Sequence, residues 1–419
     1  MPEPDVTVYA LSRATEVHPL DTSDSQRSHL IRCDGRQFAV TASVARLVEA
    51  LGEGEGTLAQ LAERLRLRGV AGATPDRLGR LLAPLSEQGI VRDGGDSPPA
   101  PERREAVIRL RRTVLRPESV RTIVSILAQL FRPLAATAVL AGIAAAHVWF
   151  YAAVFPTFTW SLAALPASYY LLLMLLTTAT TLVHELGHAA ACRRYGCPHG
   201  PIGWGVYLFT PVFYTDVSQV WRLPRRQRAV VDVAGVYFEA AAAAVVLVLY
   251  LATGHPVLVY AFLLIDISCV SQMTPVLRRD GYWLVADLAG HSRLREASAD
   301  VVRRLIARWT RRDHTAAAAP PPAGGLVVAY TLASVLLTAA LFGWLSVRVA
   351  LEAAPALPRL AVALVSGPHD PASLAAALLR LLLNAAFLAL VTASAVRFVR
   401  ALGPWLRGTQ AVAAKGVAP

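Results

Sequence analysis

Six apolar stretches, at about 133–155, 162–190, 229–252, 256–277, 325–351 and 374–402, are each long enough to cross a lipid bilayer. In hydrocarbon the backbone must satisfy its own hydrogen bonds, so lipid-exposed stretches of this length and composition fold as helices. The third and fourth are separated only by Thr253-Gly254-His255, which predicts a tight helical hairpin. Composition agrees, because 55% hydrophobic residues exceeds what an ordinary soluble chain carries, and lipid accounts for the excess.

A net charge of +12 raises the question of nucleic acid. The arginines, however, fall in blocks beside the apolar stretches: before the first, at 191–228 (Arg193, Arg194, Arg222, Arg225, Arg226, Arg228), at 278–324, and in the tail at Arg397, Arg400 and Arg407. The alternate loops are nearly free of Lys and Arg. This is the positive-inside pattern, and it predicts a multi-pass protein of the cell membrane with both termini cytoplasmic. The first 30 residues carry Glu3, Asp5, His18, Asp21 and Arg27 with no apolar core, so no secretory signal peptide is expected. Cys33, Cys192, Cys197 and Cys269 form no CxxC pair and read as free thiols.

Ahead of the apolar part lies a polar unit at 29–95. His29-Leu-Ile-Arg-Cys and Gln37-Phe-Ala-Val, separated by Asp34-Gly35, predict a hairpin. Three amphipathic helices follow, the second opened by a Thr57/Gln60 capping box and the third by Thr74 with Pro75 at its first position. Pro84 is expected to kink the third helix or end it early. The product is a small α/β winged-helix fold. The expected organisation is then a flexible terminus at 1–28, this domain at 29–95, a basic linker at 96–132, a transmembrane core at 133–310, an Ala/Pro linker at 311–324, and a transmembrane pair with a cytoplasmic tail at 325–419.

The chemistry concentrates at His184-Glu185-Leu186-Gly187-His188. On a helix, side chains four apart share a face, so both imidazoles reach one Zn²⁺, and Glu185 is placed to take a proton from its water. A polar turn at a helix end would carry the same letters. The pentad, however, follows the apolar run Tyr169 to Val183, where ionisable side chains are costly unless paired or functional. A catalytic zinc needs a third protein ligand. Asp280, at the end of another membrane segment, is the candidate, with Asp216 and Asp287 as rivals. Glu239 and Asp266 lie inside apolar stretches and read equally as functional groups or as structural interhelical bonds. His199, His255 and His291 read as loop residues.

With Gln272-Met-Thr-Pro275-Val-Leu-Arg-Arg279-Asp280-Gly281, the pentad resembles the site-2 protease family of intramembrane zinc metalloproteases, whose pattern pairs HExxH with a later NxxPxxxLDG. Pro275, Asp280 and Gly281 match, while Gln272 stands for the Asn and Arg279 for the Leu. Pro211-Val-Phe-Tyr-Thr-Asp216-Val, Trp221-Arg-Leu-Pro224 and Ala234-Gly235 resemble the bacterial peptide zinc metalloprotease branch. The resemblance covers roughly 165–300. It implies a mainly α membrane protein with a three-helix core, His184, His188 and Asp280 as zinc ligands, Glu185 as general base, and Gln272, Pro275 and Gly281 as substrate-positioning residues. Gly200 to Gly205 and the Pro211 turn suit irregular backbone or a re-entrant strand near the zinc.

Residues 29–95, with Ala42-Ser43-Val44-Ala45-Arg46 after the second strand, resemble the PqqD-like recognition elements of ribosomal peptide biosynthesis. That resemblance implies capture of a leader peptide by strand addition, with Arg77, Arg80 and Arg92 suited to an acidic leader. A generic winged helix can also bind DNA or merely pack. The expected function is therefore membrane-embedded hydrolysis of a peptide, with leader removal from a modified peptide foremost. Cleavage of a membrane-anchored signalling protein, and a non-catalytic transport or immunity role, are the alternatives.

Overall fold

The computed structural model describes residues 7–12, 15–21, 28–33, 36–70, 72–93, 108–158, 167–207, 210–273, 279–290, 294–310, 324–348, 351, 354–366 and scattered positions from 374 to 400. The chain is mostly helical, with small sheets concentrated toward its amino-terminal half.

The amino-terminal unit runs β1 (Val8–Leu11), β2 (Thr15–Pro19), β3 (His29–Cys33), β4 (Arg36–Val40), α1 (Ala42–Gly52), β5 (Gly56–Thr57), α2 (Leu58–Leu67), α3 (Pro75–Glu87) and β6 (Val91–Asp93). Its strands form two antiparallel sheets, ordered β5-β1-β6 and β2-β3-β4. Each helix begins on a threonine whose hydroxyl accepts a backbone N–H: Thr41 from Val44, Thr57 from Gln60, Thr74 from Arg77. At Thr57 the Gln60 side chain returns the bond. The apolar faces of the helices close over Ile31, Leu47, Leu61, Leu65, Leu82, Leu85 and Ile90, all buried. The helix α3 continues through Pro84 to Glu87 rather than ending early.

Residues 1–28, expected as a flexible terminus, contribute β1 and β2 to both sheets. The strands are four and five residues long, too short to announce themselves by periodicity, and pairing with distant partners makes them. Likewise the stretch 96–132, expected as a linker, contains β7 (Ile108–Leu115) and α4 (Pro117–Leu127), whose Val120 and Val124 are buried.

The apolar part follows as α5 (Pro133–Trp149), extended through a π turn and a 3-10 turn to Thr157, then α6 (Ala167–Arg194), the hairpin β8 (Ile202–Tyr207) and β9 (Thr210–Thr215), α7 (Arg225–Thr253), α8 (Val257–Gln272), α9 (Asp280–Ala289), α10 (Leu294–Thr310), α11 (Gly325–Arg348) and α12 (Ala354–Ser366). Among the described residues three helices, Pro133–Thr157, Ser168–Arg194 and Arg225–Thr253, are long and apolar enough to cross a membrane. The expected fourth stretch forms a helix of only 16 residues, about 24 Å long against a hydrocarbon core of about 30 Å. The expected sixth, 374–402, lies largely outside the described residues, and α12 occupies a stretch expected to be a loop.

Outward-facing Leu134, Leu171, Leu175, Val245, Val248 and Leu251 are exposed apolar side chains. A soluble protein would not leave helices this apolar bare, whereas lipid accepts them. At the centre lies α7, which touches α5, α6, α8 and α9 and buries residues along its length. The sheet β7-β8-β9 sits beside α6. Together these elements bring the two sequence motifs, nearly a hundred residues apart, to one place.

Candidate metal centre

The helix α6 supplies His184, Glu185 and His188, all buried. One helical turn separates the two histidines, and their Nε2 atoms face each other at 3.2 Å. Asp280, the first residue of α9, brings Oδ2 to 2.9 Å from His184 Nε2 and 3.4 Å from His188 Nε2. The helix N-terminus favours a carboxylate there.

Second partners decide what these three atoms offer. His184 Nδ1 lies 3.0 Å from Glu239 Oε2, and His188 Nδ1 lies 2.8 Å from the carbonyl oxygen of Val231. Both acceptors call for N–H at Nδ1, which leaves a lone pair on each Nε2. Asp280 Oδ2 is buried without a hydrogen-bond donor among the described residues. Three lone pairs therefore converge with no proton to share, an arrangement that a cation stabilises and that is costly without one.

The spacing fits. Tetrahedral bonds of about 2.0–2.1 Å put ligand atoms about 3.3 Å apart, against 3.2, 2.9 and 3.4 Å here. The group His184, His188 and Asp280 could hold a metal ion through two nitrogens and one oxygen, with a position left over for water or substrate.

Backbone shape makes room for it. A Cβ at Gly235 of α7 would meet His188 Nε2 at 2.5 Å and lie at least as close to His184 Nε2. On the facing helix, a Cβ at Gly187 would meet the Ala234 carbonyl oxygen at 2.5 Å, so α6 and α7 approach closely only because both positions lack side chains. Gly281 has the same task between α9 and the end of α8, where a Cβ would come within 2.6 Å of Met273 Cα.

Glu185 points to a different partner. The Thr215 hydroxyl, at the end of β9, lies 2.7 Å from Glu185 Oε2 and 3.0 Å from the Glu185 carbonyl oxygen. The β8–β9 hairpin thus sets the orientation of the acid beside the metal ligands.

Of the other candidates, Gln272 closes α8, and its carbonyl oxygen packs against Gly281. Pro275 lies outside the described residues, as does His291. Asp216 accepts from the Ser218 backbone N–H, and Asp287 is engaged by Arg228, so neither rival joins the cluster. His199 Nδ1 donates to the Gly200 carbonyl, and His255 packs against Tyr169 with the rings tilted by 44°. Asp266 ties α8 to α5 through His147 and Tyr151, apart from the cluster. Glu239, left open by sequence, is the buried partner of His184. Sequence reading missed Thr215, Gly235 and the Val231 carbonyl, since none of them belongs to a motif. Thr215, inside the quoted Pro211 to Val217 stretch, and Gly235, inside the quoted Ala234-Gly235 pair, appeared there without a role.

Comparison with known protein families, with curated proteins and with solved structures finds no match to this chain.

Proposed function

We propose that this chain is an intramembrane zinc metalloprotease of the site-2 protease type that cleaves a peptide held by its amino-terminal domain. One observation carries the reading: three lone pairs from His184, His188 and Asp280 converge at tetrahedral spacing, with Glu185 alongside, at the end of a helix long enough to cross a membrane. Two nitrogens and one carboxylate oxygen are the ligand set of a hydrolytic zinc with an open position.

Zinc held there supplies Lewis acidity and a water of lowered pKa. The chain's own part is proton handling. Glu185, turned by Thr215, takes the proton of the attacking water at Oε1 and passes it to the leaving amine. Because β9 pairs only with β8 among the described residues and ends at Thr215, a substrate unwound into a strand along β9 would arrive at Glu185. That route also answers how a helical substrate, with its carbonyls engaged, becomes open to attack.

In this proposal the chain crosses the cell membrane several times, both termini are cytoplasmic, and the metal lies near the cytoplasmic face. The amino-terminal domain is a PqqD-like element that holds the leader of a ribosomally made peptide and raises its local concentration at the metal. The free edge of β4 supports that reading, since β4 pairs only with β3 among the described residues.

The test is to incubate the detergent-purified protein with the peptide precursors encoded beside its gene and to read the products by mass spectrometry. Cleavage that stops with chelator and in Glu185→Ala supports the proposal. Chelator-resistant cleavage refutes it. Cleavage only of a membrane-anchored protein, unchanged by loss of residues 1–100, assigns the chain to regulated intramembrane proteolysis. A biological role that survives Glu185→Ala assigns it to a non-catalytic membrane component.

A further inference from the structure

Beyond the metal ligands, a second buried ionic cluster joins three parts of the chain that sequence sets far apart. Its centre is Arg228, in the first turn of α7 and 2% exposed. Nε lies 2.9 Å from each oxygen of Asp287, and Nη2 lies 2.6 Å from Asp287 Oδ1. Nη1 donates to the Leu223 carbonyl at 3.1 Å. Nη2 also donates to the Asp21 carbonyl at 2.9 Å, and Asp21 belongs to the amino-terminal domain. Trp221 packs over the guanidinium at 5.3 Å. All three nitrogens are engaged, and the fork is planar, so the positions of Asp287 and Asp21 are not independent.

Each end of this linkage leads somewhere. Asp287 lies on α9 seven residues after Asp280, two turns along the same face. On α7, Arg228 heads the stripe Val231, Gly235 and Glu239, which accepts from His188, abuts both Nε2 atoms and accepts from His184. The Arg228–Asp287 pair therefore fixes the helix that carries the third ligand against the helix that orients the other two.

At the far end, Asp21 follows β2, the outer strand of the β2-β3-β4 sheet. Asp21 Oδ2 accepts from the Arg225 backbone N–H at 2.9 Å, Asp21 Oδ1 pairs with Arg225 Nε at 3.2 Å, and Glu16 on β2 pairs with Arg222 at 2.8 Å. These contacts are partly exposed, and such pairs are individually weak. The Arg228 contact beneath them is half-buried, and undocking takes the Asp21 carbonyl away from its Nη2.

We propose that Arg228 is a positioning residue through which docking of the amino-terminal domain sets the placement of Asp280, so that metal affinity depends on Glu16 and Asp21. The inference rests on the metal-site reading above and adds to it a regulatory link: the sheet assigned to peptide recognition reports its docking to the metal centre. Glu16 and Asp21 lie outside the metal site.

The test uses the full chain in detergent micelles with Co²⁺ as the probe, reading affinity by chelator competition and ligand geometry by visible absorption. His184→Ala is the control that abolishes the site. Glu16→Arg with Asp21→Arg, which turns two attractions into repulsions, is expected to keep one equivalent of Co²⁺ but to weaken it about tenfold and shift its spectrum. Arg228→Lys keeps the charge, loses the fork, and is expected to weaken Co²⁺ by about 10- to 100-fold. Combining the three changes should add little to Arg228→Lys alone, because they act through one guanidinium. If the wild type binds Co²⁺ and the Glu16/Asp21 variant matches it in affinity and spectrum, the coupling is wrong. Full additivity with Arg228→Lys also overturns it. Failure of the wild type itself to bind Co²⁺ is a different result, which overturns the metal reading.

Discussion

Gly235→Ala is the sharpest test of the metal centre, because one methyl group is placed against two ligand atoms at once. The added Cβ would stand 2.5 Å from His188 Nε2 and no farther from His184 Nε2, where ordinary contact begins near 3.4 Å. Relief needs a movement of about 1 Å, whereas metal–ligand distances tolerate about 0.2 Å. A misplacement of that size costs roughly 10²-fold in function. Intrinsic helix propensity pushes the other way, since Ala stabilises a helix interior by about 1 kcal/mol over Gly. The expected outcome is a folded protein that has lost its metal. The assay is metal content by mass spectrometry after dialysis against a weak chelator, with circular dichroism and gel filtration to confirm the fold. Gly142→Ala on α5, where a Cβ meets nothing within 4 Å, is the matched control and should be neutral. Full metal occupancy and turnover in Gly235→Ala would refute the placement of the ion between α6 and α7.

Three further outcomes follow from the same geometry. Glu185→Gln should keep the metal and lower peptide hydrolysis by about 10²- to 10⁴-fold, read as product per bound metal; unchanged turnover would remove Glu185 as the base. Thr215→Val removes a bond to a carboxylate worth roughly 1.5–3 kcal/mol, so turnover should fall about 10- to 100-fold with metal content intact. Glu239→Ala leaves His184 Nδ1 without its acceptor and should weaken metal binding by about 10- to 100-fold, whereas Glu239→Gln, which keeps an acceptor oxygen, should lose less. Equal losses in the two Glu239 variants would show that the carboxylate acts through its charge rather than through the tautomer of His184.

The residues of the candidate metal cluster were legible because their information is local or membrane-related. Two histidines four apart share a helix face wherever the helix sits, and an acid beside them in an apolar run needs an explanation. Asp280 stood out from Asp216 and Asp287, which have the same chemistry, through its place at the end of a membrane segment and its resemblance to a second motif. Geometry separates the three, because Asp216 and Asp287 already have donors while Asp280 Oδ2 has none among the described residues. The expected fourth span shows the converse. Its apolar run extends to 277, but the described helix stops at Gln272, close to where Met273 packs on Gly281. Hydropathy marks where lipid is tolerated and says little about where a chain must turn to place a ligand.

Strands were the least legible elements for a related reason. In β7 the letters Ile-Arg-Leu-Arg-Arg-Thr-Val-Leu hold a partial alternation, yet four charged or polar residues among eight read as linker. What makes it a strand is pairing with β8, whose residues lie some ninety positions later. The same limit applies to Arg228. As one of six arginines in a loop it was a mark of topology, indistinguishable from Arg193 or Arg226. Its 59-residue reach to Asp287 and its 207-residue reach to Asp21 turn it into a buried junction. A charge count sums such residues as if each faced water, yet a buried guanidinium is tolerable only where the fold supplies acceptors for its donors. Partners of that kind exist only in the folded chain, so the residues that hold a site in place are hidden from sequence even where the residues that form it are not.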